Sequence, residues 1–174
     1  MIKGKKALII VALAGALALT GCATANKNAA SDGKNDDLVT GTTATKGAGF
    51  DSALDLGVGV KVTISSPKSF TPGTFASNYL PGQTANELAV QITNGGTVDI
   101  DPTSISFAST SGTNTCTEVL DGDAGVSGPP TDPIGGGASS SFKIAVGCDA
   151  KTGAPLTVTI SVGASSVEVT GKLA

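Results

Sequence analysis

From Leu54 onward, apolar and polar positions alternate with a period of two. In "VGVKVTI", Val58, Val60, Val62 and Ile64 fall on one face, with Gly59, Lys61 and Thr63 on the other. "ELAVQIT" sets Leu88, Val90 and Ile92 against Ala89, Gln91 and Thr93. "VDIDPTSISF" gives Val98 and Ile100, a break at Pro102, then Ile105 and Phe107; Asp99 and Asp101 fall on the wet face. "SFKIAVGC" aligns Phe142, Ile144, Val146 and Cys148; "LTVTISV" aligns Leu156, Val158, Ile160 and Val162; "SVEV" adds Val167 and Val169. Such alternation marks half-buried antiparallel strands. Turn residues separate the runs, as in Asn94-Gly95-Gly96 and Gly135-Gly136-Gly137. About seven short strands in this length predict an all-β fold, an antiparallel β-sandwich on an immunoglobulin-like plan. "Gly163-Ala164-Ser165-Ser166" makes the last two strands a hairpin.

The first residues follow another pattern. "MIKGKK" is a short positive start, and Ala7 to Leu19 is an unbroken apolar run of 13 residues. A membrane-spanning helix needs about 20 residues. A positive start, a short apolar core and small residues before a cut read instead as a secretory signal peptide. The run ends in Leu19-Thr20-Gly21-Cys22. This resembles the lipobox of bacterial lipoproteins. The resemblance implies cleavage between Gly21 and Cys22 and a covalent diacylglycerol on the Cys22 sulfur, with palmitate-type acylation of the mature terminus. Two acyl chains, at roughly 0.8 kcal/mol per buried methylene, hold a protein on a membrane where one is marginal.

Residues 23–53 lose the apolar period and are rich in Asn, Asp, Lys, Ser, Thr and Gly. Such composition cannot bury enough surface to offset its ordering entropy. The expected organisation is therefore a signal peptide over 1–21, a lipidated Cys22 with a flexible tether over 22–53, and a β-sandwich over 54–174. A flexible tether of that length reaches roughly 30 Å. Its Thr40-Gly41-Thr42-Thr43-Ala44-Thr45 patch is either bare linker or a site of O-linked sugar.

With Cys22 acylated, Cys116 and Cys148 remain as an even pair in an exported domain. They are expected to form a disulfide worth roughly 3–4 kcal/mol in loop-closure entropy. Two reduced, buried thiols are the alternative.

Composition narrows the chemistry. The chain has 174 residues and six aromatics, so its core must be built from Val, Ile, Leu and Ala. It has no His, no Trp and no Arg. There is no imidazole base or ligand, and no guanidinium fork for phosphate or guanine. Without the signal peptide, eight lysines face fourteen acids, a net charge of −6. Nucleic acid is not an expected partner. Ser65-Ser66-Pro67-Lys68 and Lys151-Thr152-Gly153 imitate two penicillin-binding-protein motifs. Pro67 and the preceding strand place the first in a turn, not at a helix start. Asp121, Asp123 and Asp132 have part of the spacing of a calcium loop, but Val126 stands where that loop needs Gly. No enzyme activity, metal or cofactor beyond the lipid is expected.

"VGVKVTISSPKSFTPG", "ELAVQITNGGTVDID" and "DPIGGGASSSFKIAV" resemble secreted immunoglobulin-like domains of actinobacterial lipoproteins, over about residues 54–170. That group is mostly of unknown function, and it implies no catalytic residues. The expected role is a non-catalytic module on the extracytoplasmic face of the cell membrane. It would contact an envelope protein, a glycan or a host surface through loops 69–83 and 121–133. The first loop holds Phe70, Phe75 and Tyr79, half of the aromatics. They are either interface anchors or caps on the core. The alternative role is a carrier of lipid or another small apolar ligand between the sheets.

Overall fold

The alternation resolves into eleven strands in the computed structural model, which describes residues 45–174. They are β1 (Thr45–Gly49), β2 (Ala53–Gly57), β3 (Val60–Ile64), β4 (Lys68–Ser69), β5 (Thr84–Asn94), β6 (Ile105–Ser111), β7 (Asn114–Thr115), β8 (Thr117–Val119), β9 (Ser139–Cys148), β10 (Pro155–Val162) and β11 (Ser165–Lys172). One sheet runs β2-β3-β5-β9-β8, with β4 also on β5; the other runs β1-β11-β10-β6-β7. Strands β3, β5, β9 and β8 reproduce the A-B-E-D order of the immunoglobulin plan, and β6, β10 and β11 reproduce its C-F-G sheet. The seven-strand expectation captured this frame and missed the short additions β1, β2, β4 and β7.

The longest pairing joins β5 to β9 in register from Thr84↔Cys148 to Thr93↔Ser139. Its inward positions, Leu88, Val90, Ile92, Ile144 and Val146, meet Val62 and Ile64 of β3. From the other sheet come Leu156, Val158, Ile160, Val167 and Val169. Every second residue of each strand is thus withdrawn from water, each side chain contributing roughly 1.5–3 kcal/mol of transfer free energy. Among the described residues only two rings pack together, Phe107 and Phe142, edge to face at 5.8 Å. The compact unit Leu38–Ala174 contains this whole core.

Several expectations need correction. The sandwich takes in Thr45–Gly49, ahead of Leu54. Strand β1 pairs with β11, and it does so in parallel, at Ala48↔Val169 and Gly49↔Thr170. Phe50 then lays its ring over Gly171, where a Cβ would come within 2.6 Å of it. One aromatic and one glycine thus bring into the fold a segment whose polar composition reads as linker. Val58 is not on the buried face of β3. It sits in a turn with φ +48°, between Gly57 and Gly59, and is 90% exposed. Val98 is likewise exposed, and Asp99 and Asp101 lie in a loop rather than a strand. Only Ile100 of that stretch pairs, as a single bridge to Ile134. Asp101 then caps a short 3-10 turn, Pro102–Ser104. Signal peptide, Gly21, Cys22 and residues 23–44 lie outside the described residues.

Candidate functional site

The two loops flagged from sequence fold onto each other. Ser77 bridges to Leu120, and the Gly73 amide donates to Asp121 Oδ2 at 2.7 Å. Asp121 is buried; its other oxygen accepts from the Ala124 amide at 3.3 Å. Together the loops cover the outer face of β9. There Ala145 joins Val119 and Val126 in a second small core, with Phe70, Ala76, Tyr79 and Ala124 packed against it. Gly147 lets the loop approach: a Cβ there would lie 2.5 Å from Gln83 Oε1 and 3.3 Å from Val119. Gln83 in turn accepts from the Leu80 amide at 3.1 Å, and its carbonyl accepts from the Tyr79 hydroxyl at 3.2 Å.

This separates the three flagged aromatics. Phe70 and Tyr79 are half-buried caps on the second core, whereas Phe75 is 85% exposed. Leu80, at 62%, and Leu120 are the other large apolar residues exposed on this platform. Sequence reasoning missed Leu80, Leu120 and the brace Asp121. In the sequence Leu80 is one apolar position in a long loop, Leu120 closes the strand-like run "TCTEVL", and Asp121 reads as a solvated acid.

Cys116 and Cys148 are joined, with 4.4 Å between their Cα atoms. Thr115 ends β7 in one sheet and Thr117 starts β8 in the other, so Cys116 marks the crossing of the chain between sheets. Its amide still donates to the Ser109 carbonyl of β6 at 2.9 Å. The bond ties this crossing to the last residue of β9. It therefore links adjacent strands at the edge of one sheet and does not bridge the two sheets through the core.

The remaining motif fragments are turns. Ser65-Ser66-Pro67 is the kink between β3 and β4, where Ser65 Oγ accepts from the Ala89 amide at 2.8 Å. Lys151-Thr152-Gly153 joins β9 to β10, with Gly153 at φ +84°. Asp121 directs its carboxylate to backbone amides, and Asp123 and Asp132 stay exposed. Among the described residues no cluster of three or more metal-binding side chains forms.

The opposite end of the sandwich opens between the sheets. A cleft of about 650 Å³ lies between the Gly57–Gly59 turn, the 94–104 segment and the β10–β11 hairpin. Leu56, Val60, Ile100 and Val162 line it, with Val58 and Val98 also on its wall. Asn94 organises this end. Buried, it donates through Nδ2 to the carbonyls of Val98 (2.8 Å) and Ile134 (2.9 Å) and accepts from the Gly96 amide (3.1 Å). Glycine-rich turns stack beneath it. A Cβ on Gly95 would fall 2.8 Å from the Gly59 carbonyl, and one on Gly136 would fall 2.9 Å from the Gly96 carbonyl. Asp99 accepts from the Gly136 amide at 3.2 Å. Thr103, through its hydroxyl and its amide, holds the Asp101 carboxyl below the ordinary carboxylate range.

No protein-family model matches this chain, and no curated protein matches it in sequence. A crystal structure of a protein from Bacillus subtilis subsp. subtilis strain 168, ycdA, described there as a candidate lipoprotein, superposes with a TM-score of 0.55 at 13% identity. The match covers 72% of this chain and 39% of that one, so this chain corresponds to well under half of that protein. An uncharacterized β-sandwich protein from Clostridium difficile 630 matches with a TM-score of 0.47 at 10% identity, over 72% of this chain and 93% of that one. At such identities the Bacillus likeness is one of fold, and the fold is a two-sheet β-sandwich.

Proposed function

We propose that this chain is a non-catalytic lipoprotein, held by a diacylated Cys22 on the extracytoplasmic face of the cell membrane. Its loop platform contacts an envelope protein, a glycan or a host surface. The observation that carries the reading is Phe75. It stands 85% exposed on a platform whose other two aromatics are used for internal packing. An exposed aromatic on the same two loops as the exposed Leu80 and Leu120, braced by a buried carboxylate, has the character of an interface anchor. The anchor is supported by Leu19-Thr20-Gly21-Cys22 after a short apolar run. The description of the Bacillus protein and the resemblance to actinobacterial immunoglobulin-like domains agree with it.

Two experiments test this. Cys22→Ser should accumulate as an uncleaved, unlipidated precursor; normal processing of that variant refutes the anchor. A photoreactive residue at position 75, irradiated in intact cells, should give discrete adducts, and one at exposed Lys172 should not. The same products from both positions, or none from 75, refute the contact role.

A further inference from the structure

We infer that the end cleft binds the apolar chain of an amphiphile that carries a cationic head. Three independent features point there. The first is the lining. Leu56, Val60 and Ile100 are core residues that form the cleft floor, and the volume of about 650 Å³ lies within the usual range of small-molecule sites. The second is the rim. Val58 and Val98 are 90% and 79% exposed, both on this cleft. Val58 is held there in the left-handed region, at φ +48°, where a β-branched residue is strained. Asn or Gly would sit in that turn without the strain. A strained apolar side chain kept in water at a cleft mouth is the signature of a contact made by something else.

The third feature is charge. Asp99 and Asp101 line both this cleft and the adjoining recess formed with Pro102, Thr103, Thr131 and Pro133. Among the described residues no lysine lines either one. The rim therefore favours an ammonium head and disfavours a carboxylate or phosphate one. The cleft chemistry does not depend on the proposed lipid anchor, and the cleft stands apart from the Phe75 platform.

The test uses residues 38–174, which hold the whole core. Octyl-, decyl- and dodecyltrimethylammonium, with the matching alkanoates, are titrated below their micellar concentrations and followed by NMR shifts. Affinity for the ammonium series should rise about fourfold per added methylene until the cleft is filled. It should exceed that for the alkanoates by about threefold, the small margin reflecting a solvent-exposed rim. Ser165→Phe, which fills the cleft, should abolish binding. Val58→Asn, which keeps the turn, should weaken it about fivefold. Asp99→Asn should shrink the preference for the ammonium head. Affinity independent of chain length, alkanoates bound as tightly as ammonium probes, or parental binding by Val58→Asn would each overturn the inference. Phe75→Ser should leave every one of these constants unchanged, which keeps this result distinct from the contact role.

Discussion

Replacing an apolar residue in the first hairpin of this sandwich should make the protein more stable. Val58 sits at φ +48° between Gly57 and Gly59, which are at φ +85° and +82°. A left-handed conformation costs an L-residue about 1–2 kcal/mol, and β-branching places valine at the upper end. Burial offers little in return, because Val58 is 90% exposed. Asn tolerates this conformation, so Val58→Asn should recover about 1 kcal/mol. Val58→Gly removes all the strain but loosens the unfolded chain by about 0.5–1 kcal/mol, so its gain should be smaller. For a domain of this size, 1 kcal/mol corresponds to a Tm shift of about 3–5 °C. The chain has no Trp, so far-UV circular dichroism is the suitable probe in thermal and urea unfolding. The urea slope should stay constant while the midpoint rises. A lower midpoint for Val58→Asn would falsify the strain argument, because the valine side chain would then be making contacts that outweigh its backbone. Val60, two residues on and buried, is the contrast: Val60→Asn places an amide in the core and should be strongly destabilising.

Other consequences can be measured with the same unfolding curves. Replacing both Cys116 and Cys148 by Ala frees a crossing closed over a separation of 32 residues and should cost about 3–4 kcal/mol, with an equal loss when the parent is reduced. Asn94→Ala removes three hydrogen bonds from a buried side chain and should cost about 2–4 kcal/mol; a loss below 0.5 kcal/mol would mean that water takes over those partners. The Ser66 hydroxyl and amide hold the Asp51 carboxyl below its ordinary value of 3.8. A depressed folded-state value contributes stability above the unfolded-state value, and this is lost as pH falls through the folded one. Parent stability should therefore decline below pH about 4, and Asp51→Asn should flatten part of that decline; an unchanged acid limb would show that Asp51 is not linked to folding.

The legible part of this protein was the part governed by local period. β3, β5, β9, β10 and β11 read directly from alternation, because a half-buried strand must present every second side chain to the core. Val58 and Val98 broke that rule. They continue the period of their neighbours but fall beyond the pairing, where three successive positive φ angles or the pull of Asn94 on the Val98 carbonyl redirect the chain. The platform was half legible. Loop length and aromatic content flagged residues 69–83, but exposure separates Phe75 from Phe70 and Tyr79. Exposure depends on Ala145 and Gly147, some seventy residues away in the chain, being small enough to let the loop lie down.

Composition and pattern alone determined an all-β domain, a core without Trp and nearly without rings, and a chain with no imidazole or guanidinium chemistry. They also marked Cys22 as the residue that sets the anchoring hypothesis. These follow from residue identity and from nearest-neighbour geometry, which need no knowledge of distant contacts. The tertiary structure decided that residues ahead of Leu54 belong to the sandwich, because β1 is held by β11 and by Phe50 on Gly171, partners more than a hundred residues away. It also decided that the glycine-rich turns pack on one another, that Asn94 and Asp121 are buried braces rather than wet turn residues, and that an apolar cleft opens at one end. Each of these depends on which backbones come within about 3 Å of each other, a property of the assembled sheets that no local sequence pattern carries.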